Sequence, residues 1–240
     1  MKIALSGYGK MGKEIEKAAL LRGHEIIAVI DTPGQWQEKL PMLKNADVVM
    51  DFSTPASVVD NIRHCFDLKL PVVTGTTGWN EHAERVKKWC VDEEQALLVG
   101  SNFSIGVNIL FSLTRQLSGI LNQLEDYDIS LEEIHHIHKL DAPSGTAIKL
   151  AEIILAGIDR KSKWVNHAAK TGEELTIHSV REDEVAGIHS LICESEADRL
   201  ILRHEAKNRK GFVAGAMLAA EWLPGKKGYF EMNDLLPALK

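Results

Sequence analysis

The sequence predicts an α/β protein in which a parallel, doubly wound sheet is followed by an α+β region on a mixed sheet. Three observations predict it. Short apolar runs alternate with helix-forming stretches from Lys2 to Val99, and the first run ends in a glycine-rich turn. After Gly106 the texture changes to strand-like alternation. Runs that are apolar on both faces and separated by helices belong to parallel sheets covered on both sides, whereas alternating runs joined by short turns do not.

Taken in order, Lys2 to Ser6 is a buried strand, Met11 to Leu21 a helix, and Glu25 to Ile30 a second buried strand, which together open a βαβ unit. Asp47 to Phe52, Leu70 to Thr74 and Ala96 to Val99 continue the strands, with helices near Ala56 to Leu68 and Asn80 to Cys90 between them. Beyond Gly106 a helix over Val107 to Leu121 leads into a strand over Tyr127 to Ile137 and a helix over Thr146 to Leu155. Strands follow at Leu175 to Val180, His189 to Cys193 and Arg199 to His204, the last two forming a hairpin about Glu196 to Asp198. A final helix over Phe212 to Trp222 carries Ala214, Gly215 and Ala219, small residues suited to close packing.

The composition is that of a globular chain: 240 residues, 45% hydrophobic and 26% charged, enough for one large or two small domains. A formal charge of −6 argues against nucleic acid and anionic membrane as partners. Cys65, Cys90 and Cys193 show no CxxC spacing and read as reduced thiols. The first apolar run breaks at Ser6 and Gly7, too early for a signal peptide, and no run approaches the roughly 18 apolar residues of a membrane span. The expectation is a soluble, cytoplasmic protein.

Gly7, Tyr8, Gly9, Lys10, Met11 and Gly12 fit GxGxxG between a strand and a helix. In that setting the first glycine makes the turn, the second admits a pyrophosphate and the third lets helix and strand approach, so the first domain reads as Rossmann-type. Asp31 lies 19 residues beyond Gly12 at the end of the next strand, where a carboxylate holds the adenine ribose diol. It would repel a 2′-phosphate, and Thr32 to Gly34 bring no arginine. Lys10 and Lys39 are the nearby cations. The expected cofactor is therefore NADH by preference, or NADPH. Gly75 to Gly78 and Gly100 to Ser104 follow buried strands, at the edge where open α/β sheets bind ligands.

The densest cluster runs from Glu132 to Ala147 and includes His135, His136, His138, Lys139, Ser144, Gly145 and Thr146. On a strand His136 and His138 would share a face and suggest zinc, but no HExxH, Cys pair or spaced third ligand accompanies them, so no metal is expected. A solvated basic edge strand is the plainer alternative. Against it stands the Pro-Ser-Gly-Thr element from Pro143 to Thr146, which makes an anion site at a helix start. A cationic pocket of this kind suits a small carboxylate substrate, with His and Lys as proton donors near neutral pH.

The string HHxHKxDxPSGTA from His135 to Ala147 resembles the signature of the 4-hydroxy-tetrahydrodipicolinate reductases of lysine and diaminopimelate biosynthesis. The resemblance extends to Gly7 to Gly12, Asp51 to Pro55, Gly75 to Gly78, Asn102 to Asn108, His204 to Arg209 and Phe212 to Ala216. It implies that His135 and Lys139 are catalytic, and that His136, Ser144, Gly145 and Thr146 bind a small dicarboxylate. It further implies cofactor contacts from Gly7 to Gly12, Asp31, Gly75, Thr76, Thr77, Gly100, Ser101, Asn102 and Phe103.

The implied organisation is a dinucleotide-binding domain from 1–104 and 211–240 around a substrate-binding and oligomerisation domain, 105–210, assembled as a homotetramer. Two departures from the family pattern are a short stretch between Asp31 and Asp47, and Gly100 and Ser101 in place of an Ala-Pro or Ala-Ala pair. The competing readings are another nicotinamide-dependent imine or amino-acid reductase of the same plan, and a non-catalytic dinucleotide sensor.

Overall fold

A computed structural model describes residues 1–208 and 210–236. Arg209 and the last four positions of the predicted first domain, 237–240, lie outside the described residues. The chain divides into two compact units, one from Met1–Ile105 together with the chain from Lys210 onward, the other from Gly106.

In the first unit the elements are β1 (Lys2–Ser6), α1 (Lys10–Leu21), β2 (Glu25–Ile30), α2 (Gln35–Glu38), α3 (Leu40–Leu43), β3 (Val48–Asp51), α4 (Val58–Asp67) and β4 (Val72–Thr74). A 3-10 turn (Asn80–His82), α5 (Ala83–Asp92) and β5 (Ala96–Val99) follow. The second unit holds α6 (which spans Ile105–Leu121), β6 (Asp128–His135), α7 (Gly145–Gly157), β7 (Lys163–Val165), β8 (Glu174–Arg181), β9 (Ile188–Glu194) and β10 (Arg199–Glu205). The chain then supplies α8 (Lys210–Trp222), β11 (Gly228–Glu231) and α9 (Met232–Leu235) to the first unit.

The first sheet has the order β11-β5-β4-β3-β1-β2, with every pairing parallel. Its inner strands β1, β3, β4 and β5 are buried on both faces because each face meets helices. Ile3, Leu5, Met50, Val73 and Leu98 pack with Ile15 and Ala19 of α1 and Ala216, Met217 and Ala220 of α8. Ala4, Val49, Val72 and Leu97 pack with Ile62, Cys65 and Phe66 of α4 and Val86 and Cys90 of α5. The small face of α8 is used closely: a Cβ on Gly215 would lie 1.8 Å from the Phe103 carbonyl oxygen.

The second sheet, β10-β9-β6-β8-β7, is mixed. Strand β6 runs parallel to β8 and antiparallel to β9, while β9 and β10 form the hairpin. One face packs Ile129, Leu131, Leu175, Ile177, Leu191 and Cys193 against Val107, Leu110 and Phe111 of α6 and Leu150, Ala151 and Ile154 of α7. Cys65, Cys90 and Cys193 are buried free thiols.

One expectation is corrected, and the alternative argued against above fails as well. The strand expected to reach Ile137 stops at His135, so His136 and His138 lie in a turn and share no strand face. Nor is this an edge strand: β6 is the middle of five. The short β7 and β11 escape prediction because three or four residues carry too little alternation to register.

Candidate active site

The five parallel strands β1 to β5 end on one edge of the first sheet, and hydrogen bonds past their ends hold the loops in order. Gly7 N–H donates to Ile30 O at 2.7 Å, Phe52 to Ser6 at 2.8 Å, Gly75 to Asp51 at 2.9 Å and Gly100 to Thr74 at 3.0 Å. The Gly7 to Gly12 turn, Asp31, Gly75 to Thr77 and Gly100 to Phe103 are thereby brought to the same edge. Two of the glycines are sterically required. Gly7 has φ +87°, and a Cβ there would stand 2.4 Å from Phe52 O, while one on Gly12 would stand 2.4 Å from Gly7 O.

Gly9 behaves differently, since a Cβ on it would meet nothing within 4 Å. It is the N-cap of α1, with no side-chain cap and no acidic residue in the first turn, so the amides of that turn are left for an anion. A dinucleotide pyrophosphate fits this arrangement. Asp31 accepts a hydrogen bond from Tyr8 N–H at 2.9 Å, which fixes one carboxylate oxygen beside the glycine turn. Lys10 and Ser101 are exposed, and Phe103 is buried with its ring 5.6 Å from that of Phe52.

Beneath these loops lies Asp51, 1% exposed. It accepts from Ser6 at 2.8 Å, Ser53 at 3.0 Å, Asn61 at 2.9 Å, Thr74 at 3.3 Å and Thr76 at 2.7 Å. One side chain thus ties three strand ends to α4 and to the Thr76 loop. The sequence shows Asp51 as part of a motif, but its hub position depends on strand order.

In the second unit the helix-covered face of the sheet changes character along β6. After Ile129 and Leu131 the next inward residues are Glu133 and His135. Register sets His189 of β9 opposite Glu133 and Arg181 of β8 opposite His135. Glu133, with no exposed surface, contacts His135 Nδ1 and accepts from Arg181 at 3.0 Å. Burial alone would raise its pKa, but the bonds from His135 and Arg181 outweigh that and bring it to about 2. Arg181 also donates to the carbonyls of Lys139 (3.3 Å) and Asp141 (2.6 Å), pinning the loop that carries the predicted lysine. Lys139 itself grips Asp141 at 2.7 Å and 2.8 Å and holds that carboxyl below its usual pKa.

Ser144 is the N-cap of α7: its Oγ accepts from Ala147 N–H at 3.3 Å and lies 3.1 Å from His189 Nε2. Burial, then the neighbouring His135, lowers the His189 pKa to about 3, so the ring is neutral near pH 7. Gly145 opens on space, a Cβ there meeting nothing within 4 Å. His136 is half-buried, its ring 6.0 Å from the exposed His138, which pairs with Glu184 at 3.0 Å.

Glu133, His135 and His189 offer ligand atoms all within 4.8 Å of one another, a set not anticipated from the sequence. One carboxylate oxygen of Glu133 is engaged by Arg181 in an ion pair at 3.0 Å. Glu133, Arg181 and His189 are the site residues that sequence reasoning missed. Their signal was available in the inward phase of three strands, but only strand pairing shows that the phases converge.

Residues 1–103 match the family described as dihydrodipicolinate reductase, N-terminus, and residues 106–236 match dihydrodipicolinate reductase, C-terminus. This chain belongs to the dihydrodipicolinate reductase family. It is 42% identical over 239 residues to the 4-hydroxy-tetrahydrodipicolinate reductase of Christiangramia forsetii, covering 100% of this chain and 99% of that one. It is 37% identical to the enzyme of the same name from Akkermansia muciniphila, covering 95% and 94%. A dipicolinate-bound dihydrodipicolinate reductase from Paenisporosarcina sp. TG-14 has the same fold, with a TM-score of 0.81 at 23% identity over 96% of this chain and 97% of that one. Membership in the dihydrodipicolinate reductase family thus rests on both halves of the chain, including the segment from His135 to Ala147 built here at the end of β6 and the start of α7.

Proposed function

We propose that this chain catalyses the NAD(P)H-dependent reduction of 4-hydroxy-tetrahydrodipicolinate to tetrahydrodipicolinate, with loss of water. The observation that carries the reading is the convergence in one unit of a carboxylate-backed histidine, a lysine and a helix N-terminus. Such a set matches an anionic ring that must accept a proton. The name borne by the relatives in Christiangramia forsetii and Akkermansia muciniphila supports it.

The first-unit edge, in residues 1–104 and 211–240, is the proposed dinucleotide site, with Gly7 to Gly12, Asp31, Gly75 to Thr77 and Gly100 to Phe103 around it. When bound, the reduced nicotinamide supplies the hydride. The 105–210 segment binds the substrate. Ser144, Gly145 and Thr146 at the start of α7 hold one carboxylate and orient the ring. His136 contacts the substrate beside them. Lys139, as a cation, draws electron density from the conjugated imine, and a proton passes to the ring from Lys139 or His135.

Asp31 favours NADH over NADPH, because a carboxylate on the ribose repels a 2′-phosphate. The homotetramer is proposed to form through the second sheet, whose face opposite α6 and α7 carries Ile201, 51% exposed, paired with Ile192. No helix among the described residues is long and apolar enough to cross a membrane, which supports the proposed cytoplasmic location.

The test is a coupled assay in which substrate is made in situ from pyruvate and aspartate semialdehyde by the synthase reaction, and loss of reduced-nicotinamide absorbance is followed. Turnover is expected with both cofactors, with higher kcat/KM for NADH, and Lys139→Ala should lower kcat by about 10²-fold. Absence of turnover would count against the reading, and higher kcat/KM for NADPH would overturn the assignment to Asp31.

A further inference from the structure

The buried array around His135 contains more charge than a lone proton donor needs. Glu133 is fully buried, contacts Nδ1 of the ring, and is met from the other side by Arg181 at 3.0 Å. The remaining face of His135 is met by His189, whose ring lies 5.1 Å away at 73°. Gly187, with φ +143°, lies over the opposite nitrogen, since a Cβ on it would come within 3.1 Å of His135 Nε2. A side chain at that position would crowd Nε2.

We propose that Glu133, clamped by Arg181, is the positioning residue for His135: it keeps the proton on Nδ1, so that Nε2 is the nitrogen that exchanges protons with the substrate. This rests on His135 being a proton donor in the reaction proposed above. In the donating step the Nε2–H bond breaks, its electron pair stays on Nε2, and the proton forms a new bond to the reduced substrate. The Nδ1–H bond is kept, and Glu133 gains no proton. A carboxylate paired with arginine is a poor base, which makes it an orienting group. His189 is less suited to the role: it is 4% exposed and its Nε2 lies 3.1 Å from Ser144 Oγ in the buried layer.

Two separate readouts test the proposal. The charged and titratable groups facing His135 are Glu133 on its own strand, Arg181 on β8, His189 on β9 and, through His189, His204 on β10, with Lys139 and Asp141 in the following loop. Imidazole 15N spectra of the wild-type protein, taken where the His135 ring is neutral, should show Nδ1 protonated and Nε2 bare, and the reverse tautomer would overturn the proposal without any variant. In Glu133→Gln the carboxylate charge is lost, so the alkaline limb of kcat should move about one pH unit or more to lower pH. The value of kcat should fall about 10-fold or more, while KM for the dinucleotide stays within about two-fold.

Glu133→Asp, which keeps the carboxylate, should return the limb part of the way toward its wild-type position. If Glu133→Gln folds and keeps the wild-type limb, the proposal fails. His135→Gln separates the two levels: a wild-type kcat there would remove His135 from the mechanism, whereas a large loss there with an unmoved limb in Glu133→Gln removes only the role of Glu133.

Discussion

Replacing Asp51 by asparagine tests whether one buried carboxylate organises the loops of the first unit. The side chain receives hydrogen bonds from Ser6, Ser53, Asn61, Thr74 and Thr76. An asparagine has one accepting oxygen, and its amide nitrogen must avoid Asn61 Nδ2, a donor that cannot reverse its role while Asn61 Oδ1 accepts from Trp36. The nitrogen therefore takes the position facing Thr74 and Thr76. Thr76 Oγ1 already accepts from Ser53 N–H at 2.9 Å, so its own proton loses its acceptor.

A buried donor left unsatisfied costs about 1–3 kcal/mol, and the surviving bonds lose their charge assistance, so a total of about 2–4 kcal/mol is expected. With a urea slope of about 3 kcal/mol per molar for a chain of this size, the midpoint should fall by about 1 M. Tryptophan emission reports this transition mainly from the first unit, which holds Trp36, Trp79, Trp89 and Trp222. A midpoint within about 0.2 M of wild type at unchanged slope would refute the hub argument. So would an unchanged KM for the dinucleotide, because the Thr76 loop hangs on the same carboxylate.

Other outcomes are open to measurement. Ser144→Ala removes the cap of α7 and the hydroxyl at His189, and should cost about 1 kcal/mol or more in thermal or urea unfolding together with a raised substrate KM; unchanged values of both would contradict the assigned cap. His189 is held neutral, with a folded pKa of about 3 against 6.5 unfolded. Between those values the unfolded chain binds the extra proton, so stability falls as pH drops, by up to about 1.4 kcal/mol per pH unit. Unfolding measured from pH 7 downward should show a shallower slope in His189→Gln, and an identical slope would rule His189 out as its source. Dialysis against a chelator should leave turnover unchanged, because Arg181 meets the charge of Glu133; loss of activity restored by zinc would show that Glu133, His135 and His189 bind metal after all.

Much of the site was legible before any coordinates. Gly7, Gly9 and Gly12 are readable because a tight strand-to-helix turn admits few residue types, and Asp31 because its distance along the chain is set by one βαβ unit. Ser144 was readable as a cap, since capping is local and needs only the next three residues. The strand was read two residues too long at the histidine string. His135 ends β6, and the backbone turns through His136 and His138 where Ile137 N–H reaches Asp183 O at 3.1 Å, a contact between distant positions.

Sequence alone determined the elements whose causes are local: apolar runs, helix caps, glycine turns and the class of chemistry that a His, Lys and helix start can perform. Tertiary structure decided everything that depends on which strand lies beside which. Asp51 becomes a hub because β1, β3 and β4 end together. Glu133, Arg181 and His189 surround His135 because β8 and β9 flank β6 in one register, with their inward phases aligned. Side-chain alternation reveals a phase within each strand, but the free energy that fixes register is shared among strands far apart in the chain.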